Sequence, residues 1–382
     1  MPGSWLALCS GTEIIKLVLD LACVLTTIQL AFRMTVSQEQ VDFYTTLRHY
    51  HAHYEIALAA ISLSLNGLVV YMAMTTRNRV MRSYCWVVLM SMFADMVYVL
   101  TNLTSMMVVE VKGGLMYFIT LGPFSHYPNP AGKVMGALYL TGLYMVIATL
   151  GMQFIYRYYA LCKTPLTLTQ FSLIYLVVTV YCVSDAAIGG FVFDGEDAER
   201  TRMIQEHPMY THNTPTYMIV DPRKPIHSAH LVSTQLIVVV VYVVVIYTSR
   251  KINEKLKEAS AIMSSSTRDA QRQLNRVMIL QATYPAIIVG CPVLMATGFT
   301  QLRLDVLWCG LYLVPSGSLI PIANSVTMIL VIPTFRKRLL NCLPYRKIEV
   351  KSSGPFTTTD ITRKMTETPP QSRMEPNETH LI

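Results

Sequence analysis

The sequence predicts an all-α membrane protein, a bundle of seven transmembrane helices. Three observations predict it. Apolar residues fill 52% of the 382 positions and charged residues only 14%, against roughly 25% charged in ordinary soluble domains, so much of the surface has to face lipid. Seven segments are long enough and apolar enough to cross a ~30 Å hydrocarbon core, which takes about 20 residues at 1.5 Å of rise each. The loops between them then separate by charge into a basic set and a base-poor set.

The spans run at approximately 54–74, 84–107, 134–156, 171–193, 230–248, 277–299 and 306–333, and together they make a transmembrane domain over 54–335. The fifth, with its LIVVVVYVVVIY core, has strand propensity, but its length and lack of alternation favour a helix facing lipid. No inverted repeat of the transporter kind is visible. Residues 1–53 form an N-terminal extension with a weaker apolar stretch at 14–32 that contains Lys16, Asp20 and Gln29. Glu13 is the only charge before Lys16, so the basic n-region of an ordinary cleaved signal peptide is missing. The stretch reads as an eighth span, an interfacial helix or a processed extension.

Charge sets the orientation. The segments 75–83, 157–170, 249–276 and everything beyond 333 hold 21 Lys and Arg, whereas 108–133, 194–229 and 300–305 hold 7. Cytoplasmic loops carry the Lys/Arg excess. The expected arrangement is therefore a multi-pass plasma-membrane protein with an extracellular N-terminus and a cytoplasmic C-terminus. Nucleic acid is not needed to explain the basic balance. The eight Cys (9, 23, 85, 162, 182, 291, 309 and 342) show no zinc-like spacing and mostly fall in apolar runs, so neither a metal site nor a disulfide framework is expected.

Polar residues inside the spans are costly and mark functional candidates. Asp95 and Asp185 are the two acids singled out. Asp95 lies ~18 Å deep by helical rise, with Asn66 at ~14 Å and Asn324 at ~15 Å, so helices one, two and seven each bring one polar side chain to a shared layer. That layer reads equally as a structural clasp or as a switch, with room for a small cation and water as a further use. Pro285 and Pro292 interrupt the sixth helix and Pro315 and Pro321 the seventh, each removing a backbone bond.

Several chemistries are excluded or disfavoured. All nine His lie outside or at the edge of the spans, which leaves an intramembrane Ser–His dyad or His-ligated metal without support. Ala-Asp95-Met and Ser-Asp185-Ala do not look like membrane aspartyl protease motifs. No Lys occurs between Lys257 and Lys337, so the Schiff base of a retinal protein has no amine in the seventh helix. No cofactor is implied. His49, His51 and His53 alternate, but only the outer two share a helix face, and an interfacial cluster is the better reading than zinc. The rival architecture is a multi-span transporter or ligand-gated channel, which wants broken helices and several ionisable groups at one central site.

Motifs add a family resemblance. The third helix ends Phe154-Ile155-Tyr156-Arg157-Tyr158-Tyr159-Ala160-Leu161, Gly122-Pro123 precedes it, the sixth carries Leu280-Gln281 with Pro285 and Pro292, and the seventh closes with Pro321, Asn324 and Val331-Ile332-Pro333-Thr334-Phe335-Arg336. Over roughly 54–340 the chain resembles the nematode serpentine chemoreceptors of the Str superfamily, the delta class (Srd) nearest. The resemblance implies a G-protein-coupled receptor fold, a small-molecule ligand, a heterotrimeric G protein partner, and a role in coupling for Arg157, Gln281, Pro285 and Pro321. Phe124 stands where such receptors often have Cys, and 194–229 contains no Cys, so the extracellular disulfide common in rhodopsin-like receptors cannot form. Depth and residue type then nominate Tyr139, Tyr144, Asp185, His230, Phe299, Trp308 and Tyr312 for the ligand site, with 194–229 as a lid.

Beyond the seventh span, 336–382 reads as a short amphipathic helix followed by a disordered Ser/Thr-rich cytoplasmic tail. Phe335, Leu339, Cys342 and Leu343 share one helical face beside Arg336, Lys337 and Arg338, an arrangement suited to anionic membrane lipid and to palmitoylation at Cys342. The charge count makes one direct prediction. An epitope placed in 194–229 should label on intact cells and a C-terminal epitope only after permeabilisation; surface labelling of the C-terminus would reverse the orientation.

Overall fold

The computed structural model describes residues 38–76, 79–207, 209–211, 214–259, 279–301, 309–332, 335–336 and 338–339. The stretch 14–32, Trp308, Cys342 and the Ser/Thr-rich tail lie outside the described residues. A short helix α1 (Gln38–His49) leads into α2 (His51–Met74) and α3 (Arg79–Ser105). A hairpin follows, β1 (Met107–Lys112) and β2 (Leu115–Thr120), then α4 (Ala131–Cys162) and α5 (Leu168–Val192). The next loop contributes α6 (Ala198–Gln205) and β3 (Tyr217–Val220) before α7 (Pro225–Ala259). Helix α8 (Ile279–Gln301) contains a π-helical segment at Ala286–Gly290, and the last spanning helix is divided into α9 (Cys309–Gly317) and α10 (Ile320–Val331).

Seven of these units are long and apolar enough to cross a membrane: α2, α3, α4, α5, α7, α8 and the α9–α10 pair. Burial separates them. In α4, 78% of the most apolar window is buried inside the protein, against 22% in α5; a helix apolar all round belongs in the middle of a bundle or against lipid. α4 therefore forms the central post, packed on α3, α5 and α7. Close approach of α3 is possible because residue 142 is glycine: a Cβ there would lie 2.9 Å from the Tyr98 Cα. On the outer faces, Leu173 and Val177 of α5 and Val240 and Val243 of α7 are exposed, as lipid contact requires.

Two departures from the expected spans have local causes. α3 stops at Ser105, and Met106 turns with φ 39° into a strand. The expected helix to 107 fails because Val108, Val109 and Val111 are β-branched. Gly113 and Gly114, at φ 61° and 73°, supply the two positive-φ residues of a tight hairpin turn. In the seventh helix, Ser318 and Leu319 form a turn, and Pro321 occupies the first turn of α10, where its missing N–H costs nothing.

The hairpin and β3 make an antiparallel sheet in the order β1-β2-β3, with Val109 opposite Phe118 and Phe118 opposite Met218. Alternation sends Val109, Met116, Phe118, Met218 and Val220 onto the bundle core, whereas Leu115, Tyr117, Ile119, Tyr217 and Ile219 pack outward against Ile204 and Tyr210. Strands buried on both faces show little polar alternation, and this explains why 108–133 reads as a loop from sequence. The sheet thus caps one end of the bundle. At the opposite end Arg338 donates to the carbonyls of Met72 (3.1 Å) and Thr75 (3.0 Å), a cation satisfying the last carbonyls of α2.

Glu110 clamps the cap. Its carboxylate is fully buried and accepts from the Tyr210 hydroxyl (3.2 Å) and the Gly310 amide (3.3 Å), with the Arg48 guanidinium 3.7 Å away and bonded to the same tyrosine. Four segments meet on one acid: α1, β1, the 194–229 loop and α9. Burial pushes its pKa up from 4.5 to about 7 against the pull of Arg48. A carboxyl whose folded pKa is raised binds its proton more tightly when folded, so the cap gains stability as pH falls through about 7 toward 4.5. Amide exchange in 107–120, corrected for intrinsic rate, should slow between about pH 8 and about pH 6, and Glu110→Gln should flatten that dependence. A profile unchanged in Glu110→Gln would remove Glu110 as its source.

Candidate ligand cavity and polar core

Beneath the sheet lies a cavity of about 80 Å³. Val109, Met116 and Phe118 form its roof, Tyr139, Leu143 and Tyr144 its α4 wall, and Phe193 the end of α5. Thr234 and Val238 of α7, Ala296 and Thr297 of α8, and Leu313 and Val314 of α9 close the other sides. Nearly all of the lining is apolar. Its polar groups are two tyrosines and two threonines: Tyr144 interacts with Thr234 and Tyr139 with Tyr98, and Gln235 donates to Thr297 at 2.8 Å. Among the described residues no charged side chain lines it, so the chamber suits a compact uncharged molecule.

The nominated ligand residues divide around this chamber. Tyr139 and Tyr144 line it. Asp185 and His230 stand one layer behind, in a buried cluster where Ser233 donates to Asp185 at 2.9 Å and His230 Nδ1 lies 3.9 Å from the same oxygen. The His230 ring packs edge-on against Phe193, centroids 4.9 Å apart, and so supports the wall from outside. Phe299 is buried in the surrounding core. Tyr312 faces out, 46% exposed, because its neighbours Leu313 and Val314 take the inward face of α9. Thr234, Thr297 and the sheet residues were not anticipated. The Gly-Gly turn between two apolar runs was the signal that could have found the roof.

Deeper in the bundle a polar core gathers Asp95, Gln281, Pro285 and Asn324 around a cavity of about 10 Å³, with Ser91, Thr149 and Gln153; this is room for about one water. Asn324 donates to both Asp95 oxygens, at 3.1 and 3.2 Å, and Gln153 donates to Ser91 at 2.8 Å. Asn66 is buried in α2 but donates to the Ser62 carbonyl (2.9 Å), so the hydrogen-bonded pair joins α3 and α10. Pro285 immediately precedes the π segment, consistent with a broken ladder at that point. Tyr242 donates to the Ala282 carbonyl (3.3 Å) and Ser316 to that of Ile288 (3.2 Å), supporting the irregular backbone from α7 and α9. Arg157 is buried near the end of α4, not spread at the membrane rim.

A third acid escaped the sequence reading. Glu55, 2% exposed, accepts from Asn102 (2.7 Å) and from Ser318 (2.7 Å), and Asn102 also reaches Ser318 at 3.0 Å. Ser318 sits in the turn that divides α9 from α10, so this cluster holds the break against α2 and α3. Glu55 lies beside the start of the first span, where an acid reads as a rim residue. Its partner Asn102, with Asp95 and Tyr98, falls at helical spacing on one buried face of α3.

A bundle of seven apolar helices, roofed at one end over an apolar chamber and holding a polar core deeper in the bundle, has the architecture of a seven-transmembrane receptor of the G-protein-coupled type. The chain belongs to the serpentine type 7TM GPCR chemoreceptor family Str, which matches residues 51–340. Its structure is similar to squid rhodopsin, with a TM-score of 0.55 and 14% identity over 86% of this chain and 93% of that one. That likeness is one of fold, since this chain has no lysine between Lys257 and Lys337. No curated protein matches the chain. Family and fold are those of receptors, not enzymes, and of multi-pass membrane proteins.

Proposed function

We propose that this chain is a chemosensory receptor that takes an extracellular small molecule into the chamber beneath the sheet and signals through a heterotrimeric G protein. The observation that carries the reading is the chamber itself. It is an apolar space enclosed by α4, α7, α8 and α9, with few hydrogen-bonding groups, as small-molecule sites generally are. The sheet end is assigned to the outside and the C-terminus to the cytoplasm, supported by the 21 to 7 division of Lys and Arg between the two sets of loops. Asp95, Gln281, Pro285, Pro321 and Asn324 are assigned the switch between inactive and active states, and Arg157, at the other end of α4, the contact with the G protein. Asn66 belongs to the surrounding support. Within the family, the motifs taken together resemble the delta class most nearly, and Cys342 is assigned as a lipid anchor.

The test is a ligand screen on cells expressing the receptor, read as calcium or cAMP. A response should vanish when the G protein is removed and in Ala296→Leu, which fills the chamber while leaving surface expression intact. A response surviving loss of the G protein would favour the channel reading; one surviving Ala296→Leu at unchanged potency would move the ligand elsewhere.

A further inference from the structure

Further along α4 than the ligand chamber is a larger cavity, about 330 Å³, set between α4, α5 and α7. Gly151 and Met152 form its floor, Val178 and Tyr181 one bank, and Val240 and Val244 the other. Val178 lies about ten residues inside α5, ~15 Å from its end by helical rise, so the groove opens at the depth of the hydrocarbon. Its banks are exposed at Tyr181 (52%) and Val240 (51%), and the same surfaces continue outward through Val177 and Val243. The concavity is therefore continuous with the lipid-facing surface of the receptor.

What fills it follows from its lining. Water needs two to four polar partners, and apart from the Tyr181 hydroxyl the lining side chains offer none that bonds strongly. A space this size is too large to remain empty in a close-packed, lipid-bathed protein. The floor is deep because residue 151 is glycine; the nearest atoms a Cβ there would meet belong to Val241, at 3.4 Å. We propose that this groove is a binding site for one acyl chain of a bilayer phospholipid. The occupant adjoins the ligand chamber along α4: Tyr144 and Ile147 line the chamber, and Ala148 and Gly151, one helical turn further along the same face, line the groove. The thiol of Cys182 also reaches the Tyr144 carbonyl at 3.9 Å. The inference needs only the membrane fold and stands apart from the identity of the ligand.

The test uses the full-length receptor in phosphatidylcholine nanodiscs doped with phosphatidylcholine carrying a diazirine at mid-chain. After illumination, adducts are mapped by peptide mass spectrometry. The expected result is labelling at Met152, Tyr181 and Val240 above that at the lipid-facing controls Leu173 and Phe93, and loss of the groove adducts alone in Gly151→Leu, which fills the floor. Val240→Trp, on the exposed bank, covers the mouth without touching the core and should give the same loss even where Gly151→Leu folds poorly. Equal labelling of groove and control residues, or groove labelling that survives Val240→Trp, would reduce the site to ordinary lipid solvation and overturn the proposal.

Discussion

The structure depends on two buried carboxylates that have to be satisfied away from water. Glu55 and Asp95 lie inside spanning helices, 2% and 1% exposed, where an unpartnered charge or acid is costly by several kcal/mol. Each finds a donor on the seventh helix, Ser318 for Glu55 and Asn324 for Asp95, and Glu55 has a second donor in Asn102 of α3. The two contacts sit on either side of the α10 start, so the break is fixed from both directions. A continuous helix would not carry Ser318 and Asn324 in the same relation, and the proline at 321 makes the break inexpensive.

From that constraint the rest can be traced. α3 presents Asp95, Tyr98 and Asn102 along one face, and all three are buried. Tyr98 packs on Tyr139, ring centroids 6.2 Å apart, and Tyr139 lines the chamber beneath the sheet. A short run of side chains thus joins the chamber wall to the cluster at the helix break. The cap is tied in separately, through Glu110 and Gly310 at the start of α9. A side chain at 310 would displace that carboxylate, since an added Cβ would overlap its oxygen. Roof, chamber and polar core all bear on the α9–α10 pair.

The sequence made some of this legible and hid the rest for physical reasons. Hydropathy finds helices facing lipid because the solvent itself demands apolar runs, and the fold class follows from seven of them. Depth counting placed Asp95 and Asn324 on one level, and they are hydrogen-bonded. It also grouped Asn66 with them, but depth does not give rotation about the helix axis, and that amide bonds to its own helix. The same gap misplaced Tyr312, one position from inward-facing Leu313. Glu55 was hidden by its place at the margin of the first span, although the α3 pattern Asp95, Tyr98, Asn102 signalled a polar face needing partners beyond the one layer. The sheet was hidden because both of its faces are buried.

Reciprocal exchange of the central pair tests the account most directly. Thermal unfolding of the solubilised receptor would be followed in Asp95→Asn, Asn324→Asp and the double variant. Asn324→Asp alone sets two carboxyls against each other and should be markedly destabilised, by about 2–4 kcal/mol. The double variant restores one acid and one amide in reversed positions, and should recover most of the loss. A double variant as unstable as the sum of the two singles, within about 0.5 kcal/mol, would contradict the claim that this contact holds the seventh helix in place.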